Sequence, residues 1–396
     1  MRIHARWACL AASGLVAFGL LSVSNAGVAA TRHPASPAAT ASAAPLKHSQ
    51  IFSVSVVPHS TSAWALAAHP VSISKAYFYA LHRVGGGHWS VHALPRPKKL
   101  NLEQVYAPSA HSIWIDGTLG SGRKAAPYLL HSTGGAFHRV AIPGLPHGIL
   151  NAIGGSSTHD IWAGGATTVN EPTPISLHYN GKKWSVVPFA GEPSDSGLVA
   201  VASSGAHNAW AISESGYSID DLSPSTYHWN GTSWTEMAIP NPDAALGAIA
   251  TTGTSHAWAV GSNVLTSGRL VTYLLSWNGH AWVHAHTASP SKTNNVLQDV
   301  AAAGKRVWAV GYRDQGAAFE NPIVERLVGA KWKVVAAPHI GRKTYLSAVG
   351  VSSKAVVGVG YYYPGSRKFI IGGSDSPAPL VEGPHGSHWA IESAPH

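Results

Sequence analysis

The sequence predicts an all-β chain folded as a seven-bladed β-propeller of four-stranded antiparallel blades. Three observations predict it: a tryptophan-centred strand that recurs every 48 to 50 residues, a second aromatic in step with it, and a glycine three residues before that second aromatic. Beyond the first 30 residues no stretch carries a convincing helical period.

Taken in chain order, residues 1–30 read as a secretory signal. Arg2 and Arg6 precede an apolar run from Trp7 to Val23, and Val28-Ala29-Ala30 offers cleavage near Ala30, with Ala26 as a second position. No other segment is long and apolar enough to span a bilayer. Cys9, the sole cysteine, lies inside the signal, so the mature chain has no thiol chemistry and no disulfide. Residues 31–50 are rich in Ala, Pro, Ser and Thr and read as a linker, which places the propeller at 51–396.

Each repeat opens with two apolar residues three apart, from Ile51/Val54 to Leu346/Val349; this is strand a. Strand b carries the first tryptophan, at Trp64, Trp114, Trp162, Trp210, Trp258 and Trp308, and Val357 replaces it in the seventh copy. Its clearest versions are Trp258-Ala259-Val260-Gly261 and Trp308-Ala309-Val310-Gly311. Strand c precedes the glycine turn. In three copies that turn is Asn-Gly, at Asn180, Asn230 and Asn278, a hairpin signal because Asn and Gly tolerate positive φ. Strand d holds the second aromatic: Trp89, Phe137, Trp184, Trp234, Trp282, Trp332 and Trp389. One large ring per repeat at a fixed step is what packing sheet on sheet requires, so the tryptophans are expected between blades. The chain starts with strand a and ends with strand d, so packing of the first blade on the seventh must close the ring, unless residues 40–50 add a strand.

The repeat resembles kelch repeats in its order of strands, with the double glycine only at Gly164-Gly165, and its Gly-x-x-Trp tail is similar to Asp-box turns. The Asp-box aspartate is absent: Tyr179, Trp229 and Trp277 stand in its place. Most of all, residues 51 to 396 resemble the tryptophan-repeat (WAVG-type) propellers of secreted bacterial proteins. That resemblance implies a fold and not an activity.

The a–b and c–d turns are short and uniform, whereas the b–c and d–a connections vary in length and chemistry. Because strands alternate in direction, the variable loops share one rim, and binding residues are expected there. The seventh repeat supplies Tyr361, Tyr362, Tyr363 and Arg367, the sixth Tyr312, Arg313 and Asp314, the fourth Glu214 and Asp220, and the second Asp116. Aromatic and charged groups together suit sugar stacking or contacts with a peptide.

Other constellations carry less. His131, His178 and His228 recur on strand c, but neighbouring blades lie about 10 Å apart, too far to share a metal; they are expected to fill a repeated pocket. His284 and His286 share a face of strand d with no evident third ligand. Asp160 and Asn208 are assigned to turn formation. No metal site and no cofactor is expected.

The formal charge of +9, or +7 without Arg2 and Arg6, is read as a mild spread bias rather than a polybasic patch, which excludes nucleic acid and favours anionic extracellular partners. The sequence thus leads to a secreted monomer, a non-catalytic recognition or scaffold propeller that binds a glycan, wall polymer or protein on the b–c/d–a rim. The alternative is a carbohydrate-active enzyme, a polysaccharide lyase or glycosidase, on the same rim.

Overall fold

The computed structural model describes residues 46–72, 75–168, 171–189, 195–215, 223–287, 289–314, 320–364 and 377–392. Each sequence repeat forms four antiparallel strands, in the first repeat Gln50–Val56, Ala63–Ser72, Lys75–Arg83 and Trp89–Ala93. The later repeats occupy 100–140, 149–186, 196–237, 245–284, 295–334 and 343–391. Hydrogen bonding groups them into six sheets, where the sequence led to seven separate blades. Repeats one to five are four-stranded sheets. Repeats six and seven share an eight-stranded sheet, joined by one parallel pair, Glu320 with Lys343.

Successive strands a touch one another in a cycle that returns from the seventh repeat to the first. Between neighbouring repeats lie the tryptophans. The strand-b ring of one repeat meets the strand-d ring of the next edge-on: Trp114 with Trp184 at 5.4 Å, Trp162 with Trp234 at 5.1 Å, Trp210 with Trp282 at 5.0 Å. Such pairs add about 0.5–1.5 kcal/mol beyond the area they bury. The expected position of the tryptophans between sheets is therefore observed.

The glycine of Trp-Ala-Val-Gly has a packing cause. It faces the bulged strand a of its own repeat, and a Cβ at Gly261 or Gly311 would lie 2.0 Å from the carbonyl oxygen of Ala245 or Val296. The Asn-Gly turns divide the work between their two residues. Only the glycine takes positive φ, and the Asn side chain accepts backbone N–H groups two and three residues ahead, as Asn180 does from Lys182 and Lys183.

First and last repeats pack directly. Leu46, Ile51, Val54 and Trp89 form one apolar cluster with Val357, Val359 and Val381. Among the described residues Trp89 has no tryptophan partner there, because Val357 stands at the strand-b step; the Arg83 guanidinium lies 5.4 Å from its ring and pairs with Glu392, just past the last strand. Ser352 Oγ donates to the Ser60 carbonyl at 2.6 Å across the same seam. Leu46, assigned to the linker by composition, is already core, and strand a opens at Gln50.

Candidate functional site

Where repeats six and seven meet on the b–c/d–a rim, four tyrosine rings converge. Tyr345 stacks on Tyr361 with ring centres 4.8 Å apart, and Tyr312 and Tyr363 approach Tyr345 edge-on at 5.5 and 6.4 Å. Strand periodicity explains the grouping: Tyr361 and Tyr363 lie two apart on Val356–Tyr363, and Tyr345 pairs with Tyr361 on the neighbouring strand Lys343–Val351. Tyr361 is buried and the other three are half-buried.

Glu320 and Lys343 close one side of this cluster. Their side chains pair at 2.7 Å, and their backbones form the parallel pair that links the halves of the eight-stranded sheet. Burial pushes the Glu320 carboxyl up, with Lys343 opposing and Asp314 adding to the rise. Burial, then Glu320 and Asp314, raise the Tyr312 hydroxyl to about 12. Burial raises the Tyr361 hydroxyl too, so Tyr312 and Tyr361 present neutral hydrogen-bonding groups at ordinary pH.

Beside them, between repeats five and six, lies an open cavity of about 440 Å³ lined by Arg269, Lys292, Thr293, Asn294, Asp314 and Glu320, among others. Asn294 holds it in shape: its Nδ2 donates to Asp314 at 2.9 Å and its Oδ1 accepts from the Leu270 N–H at 2.9 Å.

The structure brings Tyr312, Tyr361, Tyr363 and Asp314 to this place. Tyr362 points the other way and packs with Ile340 against the apolar layer between repeats six and seven. Arg313 donates to the Pro290 carbonyl at 3.4 Å. Asp116 and Glu214 are corrections: neither faces an open rim. Asp116 is fully buried and accepts from the Gln104 N–H at 2.8 Å; Glu214 is buried and accepts from the Leu246 N–H of the next repeat at 2.9 Å. Burial pushes their carboxyls up to about 7 and about 8. Arg367 and Asp220 lie outside the described residues. Sequence reasoning missed Tyr345 and Lys343. They open strand a, which was read only for its apolar pair, and Leu346 at the next step was the signal.

The strand-c histidines each lie on the strand-b tryptophan beside them: His131 stacks on Trp114 at 4.0 Å and His178 on Trp162 at 4.3 Å, His228 lies tilted over Trp210 at 4.5 Å, and His82 stacks on Trp64 at 4.1 Å as a fourth case that the sequence pattern held unnoticed. Burial lowers His82, His131 and His228, the first further by its neighbour His92. Asp160 and Asn208 do more than shape a turn. Each lies within hydrogen-bond distance of the histidine Nε2, at 2.9 and 2.7 Å, and Asp160 also accepts the Trp162 indole N–H at 3.1 Å. His284 stacks on Tyr273 at 5.0 Å, and among the described residues no three acidic, His or Cys side chains group as a metal site.

No protein-family model and no curated protein matches the chain. Solved structures do. An ulvan lyase, a polysaccharide lyase determined with a GlcA(1-4)Rha3S unit bound, superposes with a TM-score of 0.56 at 10% identity over 88% of this chain and 97% of its own. The fold is a β-propeller. A xyloglucanase from Xanthomonas campestris gives 0.55 at 12% identity, covering 86% of this chain and 55% of that one. A prolyl endopeptidase gives 0.58 at 12%, over 89% of this chain and 49% of that one. At such identities the likeness speaks for the fold alone.

Proposed function

We propose that this propeller is a secreted, non-catalytic recognition module that binds a glycan on the b–c/d–a rim at repeats five to seven. The observation that carries the reading is the packed cluster of Tyr312, Tyr345, Tyr361 and Tyr363 beside a polar cavity of about 440 Å³. Tyrosines offer an apolar face to the C–H side of a sugar ring while their hydroxyls and the neighbouring Asp314, Asn294 and Arg269 meet its hydroxyls. Two of the similar structures belong to proteins named for polysaccharides, which sets the ligand class to try first.

The same reading takes the ring as seven-bladed, of the tryptophan-repeat type. Its support is the cycle of strand-a contacts and the short parallel pairing, Glu320 with Lys343, by which repeats six and seven come to share one sheet. It takes residues 1–30 as a signal removed near Ala30, residues 31–50 as a linker for the most part, and the remainder as one monomeric domain.

One feature favours the enzyme reading. Glu320 has one oxygen on Lys343 and its other oxygen buried with no partner among the described residues, and burial pushes its carboxyl up against the opposing Lys343, as a carboxyl placed for acid–base work requires. The test is incubation of residues 31–396 with a panel of wall and plant polysaccharides, following bound protein and released sugar together. Retention without release is expected. Release of unsaturated or reducing ends that Glu320→Gln abolishes assigns the enzyme instead, and neither signal overturns both readings.

A further inference from the structure

A different sector of the same rim gathers positive charge that the sequence disperses. Lys75 opens strand c of repeat one, Arg96, Lys98 and Lys99 lie on the d–a connection to repeat two, and Arg123 and Lys124 lie on the b–c loop of repeat two. All six side chains are exposed, and none has a carboxylate partner among the described residues. The backbone ties these segments into one surface. The Gly120 N–H donates to the Lys99 carbonyl at 3.0 Å, which fixes the loop carrying Arg123 and Lys124 against the d–a connection. Lys99 is held at φ +59°, in the left-handed region that non-glycine residues seldom adopt. The Arg96 guanidinium sits 4.7 Å over the Tyr77 ring and 5.2 Å from that of Tyr79, and the Lys75 ammonium lies 5.1 Å over Tyr77.

The nearby acids do not offset this charge. Repeat two holds two acids, Asp116 and Glu103, and both are turned inward: burial raises Asp116 to about 7 and, with Asp116 adding, Glu103 to about 8, while Asp116 accepts the Gln104 N–H and Glu103 accepts from the Asn101 side chain. Six of the 27 Lys and Arg residues therefore stand together in one sector. Repeat one packs on repeat seven, so this sector follows the tyrosine cluster around the rim.

We infer that repeats one and two form an anion-binding sector and that the ligand of this rim is a polyanionic glycan, a chain bearing carboxylate or sulfate groups. The inference rests on the glycan reading above and names its class. Charge read without base stacking is the physical distinction from single-stranded nucleic acid, and the duplex is distinguished by the test below. Single-strand binding uses free aromatic faces as platforms, whereas Tyr77 is capped by Arg96 and Lys75 and Tyr79 is buried. What this sector offers is six exposed cations on three segments of neighbouring repeats, suited to the repeating charges of an acidic polysaccharide.

The experiment compares binding of residues 31–396 to chondroitin sulfate, dextran and double-stranded DNA. Chondroitin sulfate is expected to bind well above dextran. Its affinity should fall about tenfold to a hundredfold between about 50 and about 200 mM salt, as counterion release at a few charged contacts requires. The pair Lys98→Glu and Lys124→Glu, which leaves Arg96 on its tyrosines, should lose at least about tenfold, and Lys98→Arg with Lys124→Arg should not. Lys182→Glu with Lys183→Glu makes the same change of net charge on the exposed c–d turn of repeat three, at the opposite rim, and should leave binding intact. Equal loss in both charge-reversed pairs, dextran bound as well as chondroitin sulfate, or DNA bound more tightly than either, overturns the inference. Retention of dextran or other neutral polymers leaves the glycan reading standing, whereas failure to retain any polysaccharide overturns that reading as well.

Discussion

The hydroxyl of Ser203, on strand a of repeat four, donates a 2.6 Å hydrogen bond to the carboxylate of Asp160, on strand b of repeat three. The same carboxylate accepts from Ser156 at 2.6 Å and from the Trp162 indole, and lies beside His178. Similar polar rungs join other neighbours through the strand-a backbone: Ser53 accepts from the Val105 N–H, Gln104 from Ile153, and Asp299 from Val349. The sheets are therefore joined by directed bonds at the inner strands as well as by apolar packing.

Removal of the Asp160 carboxylate strands buried donors. Asp160→Ala should lower stability by about 2–4 kcal/mol, and Asp160→Asn by less, in urea unfolding. Burial alone would raise this carboxyl, but the bonds from His178, Ser156 and Ser203 outweigh it and hold it below its ordinary value. The folded value is depressed, so the contribution is present above the unfolded value of about 3.9 and lost as pH falls through the folded one. A stability difference between wild type and Asp160→Asn that does not shrink under acid would refute this account.

Glu382 predicts the opposite pH slope. It is fully buried on strand c of repeat seven, neither oxygen has a partner among the described residues, and burial raises it to about 8. The folded state keeps this proton while the unfolded state gives it up near pH 4.5, so stability falls as pH rises from there through about 8. Asp116 and Glu214 add in the same direction. Glu382→Gln should raise the melting temperature more at pH 8 than at pH 5, at about 2–4 °C per kcal/mol. Thermal unfolding at both pH values checks it, and an equal shift at both removes the titration from the account.

Gly311 faces a carbonyl 2.0 Å from where a Cβ would sit. Gly311→Val should cost about 1–3 kcal/mol or more by forcing the bulged strand away. Repeats one and four carry Ala67 and Ser213 at the matching step, so the strand can yield to a small side chain. Gly311→Ala is accordingly expected to unfold at a denaturant concentration between that of wild type and that of the valine variant.

Tyr363 lies at the half-buried edge of the tyrosine cluster. Tyr363→Ala should weaken polysaccharide retention about fivefold, the equivalent of roughly 1 kcal/mol of ring contact, with the melting temperature little changed. Tyr362→Ala, on the other face of the strand, should lower the melting temperature through lost packing and leave retention per folded molecule unchanged. Reversed behaviour of the two would place the site on the opposite face of that strand.

Much of the fold was legible because the repeat is periodic. A ring every 48 to 50 residues, with a glycine turn in step, requires one strand set per repeat and places Trp114 against Trp184 and its equivalents between sheets. The candidate site was legible only where residues lie close in sequence, as Tyr361 and Tyr363 do. Tyr345 was invisible because strand pairing, and not spacing, brings it onto Tyr361. Asp116 and Glu214 were read as rim acids because sequence gives loop membership but not the direction in which a strand-end side chain turns.

By itself the sequence determined an all-β repeat protein, its strand order and the tryptophan layers, since these follow from local period and from the burial that large rings demand. Tertiary structure alone decided how the ends meet through Val357, Trp89 and Arg83 and how repeats six and seven join at Glu320 and Lys343. It also gathered Lys75, Arg96, Lys98, Lys99, Arg123 and Lys124 on one sector. Charges scattered along a chain become a surface only when loops from neighbouring sheets emerge side by side, and no local pattern encodes that adjacency.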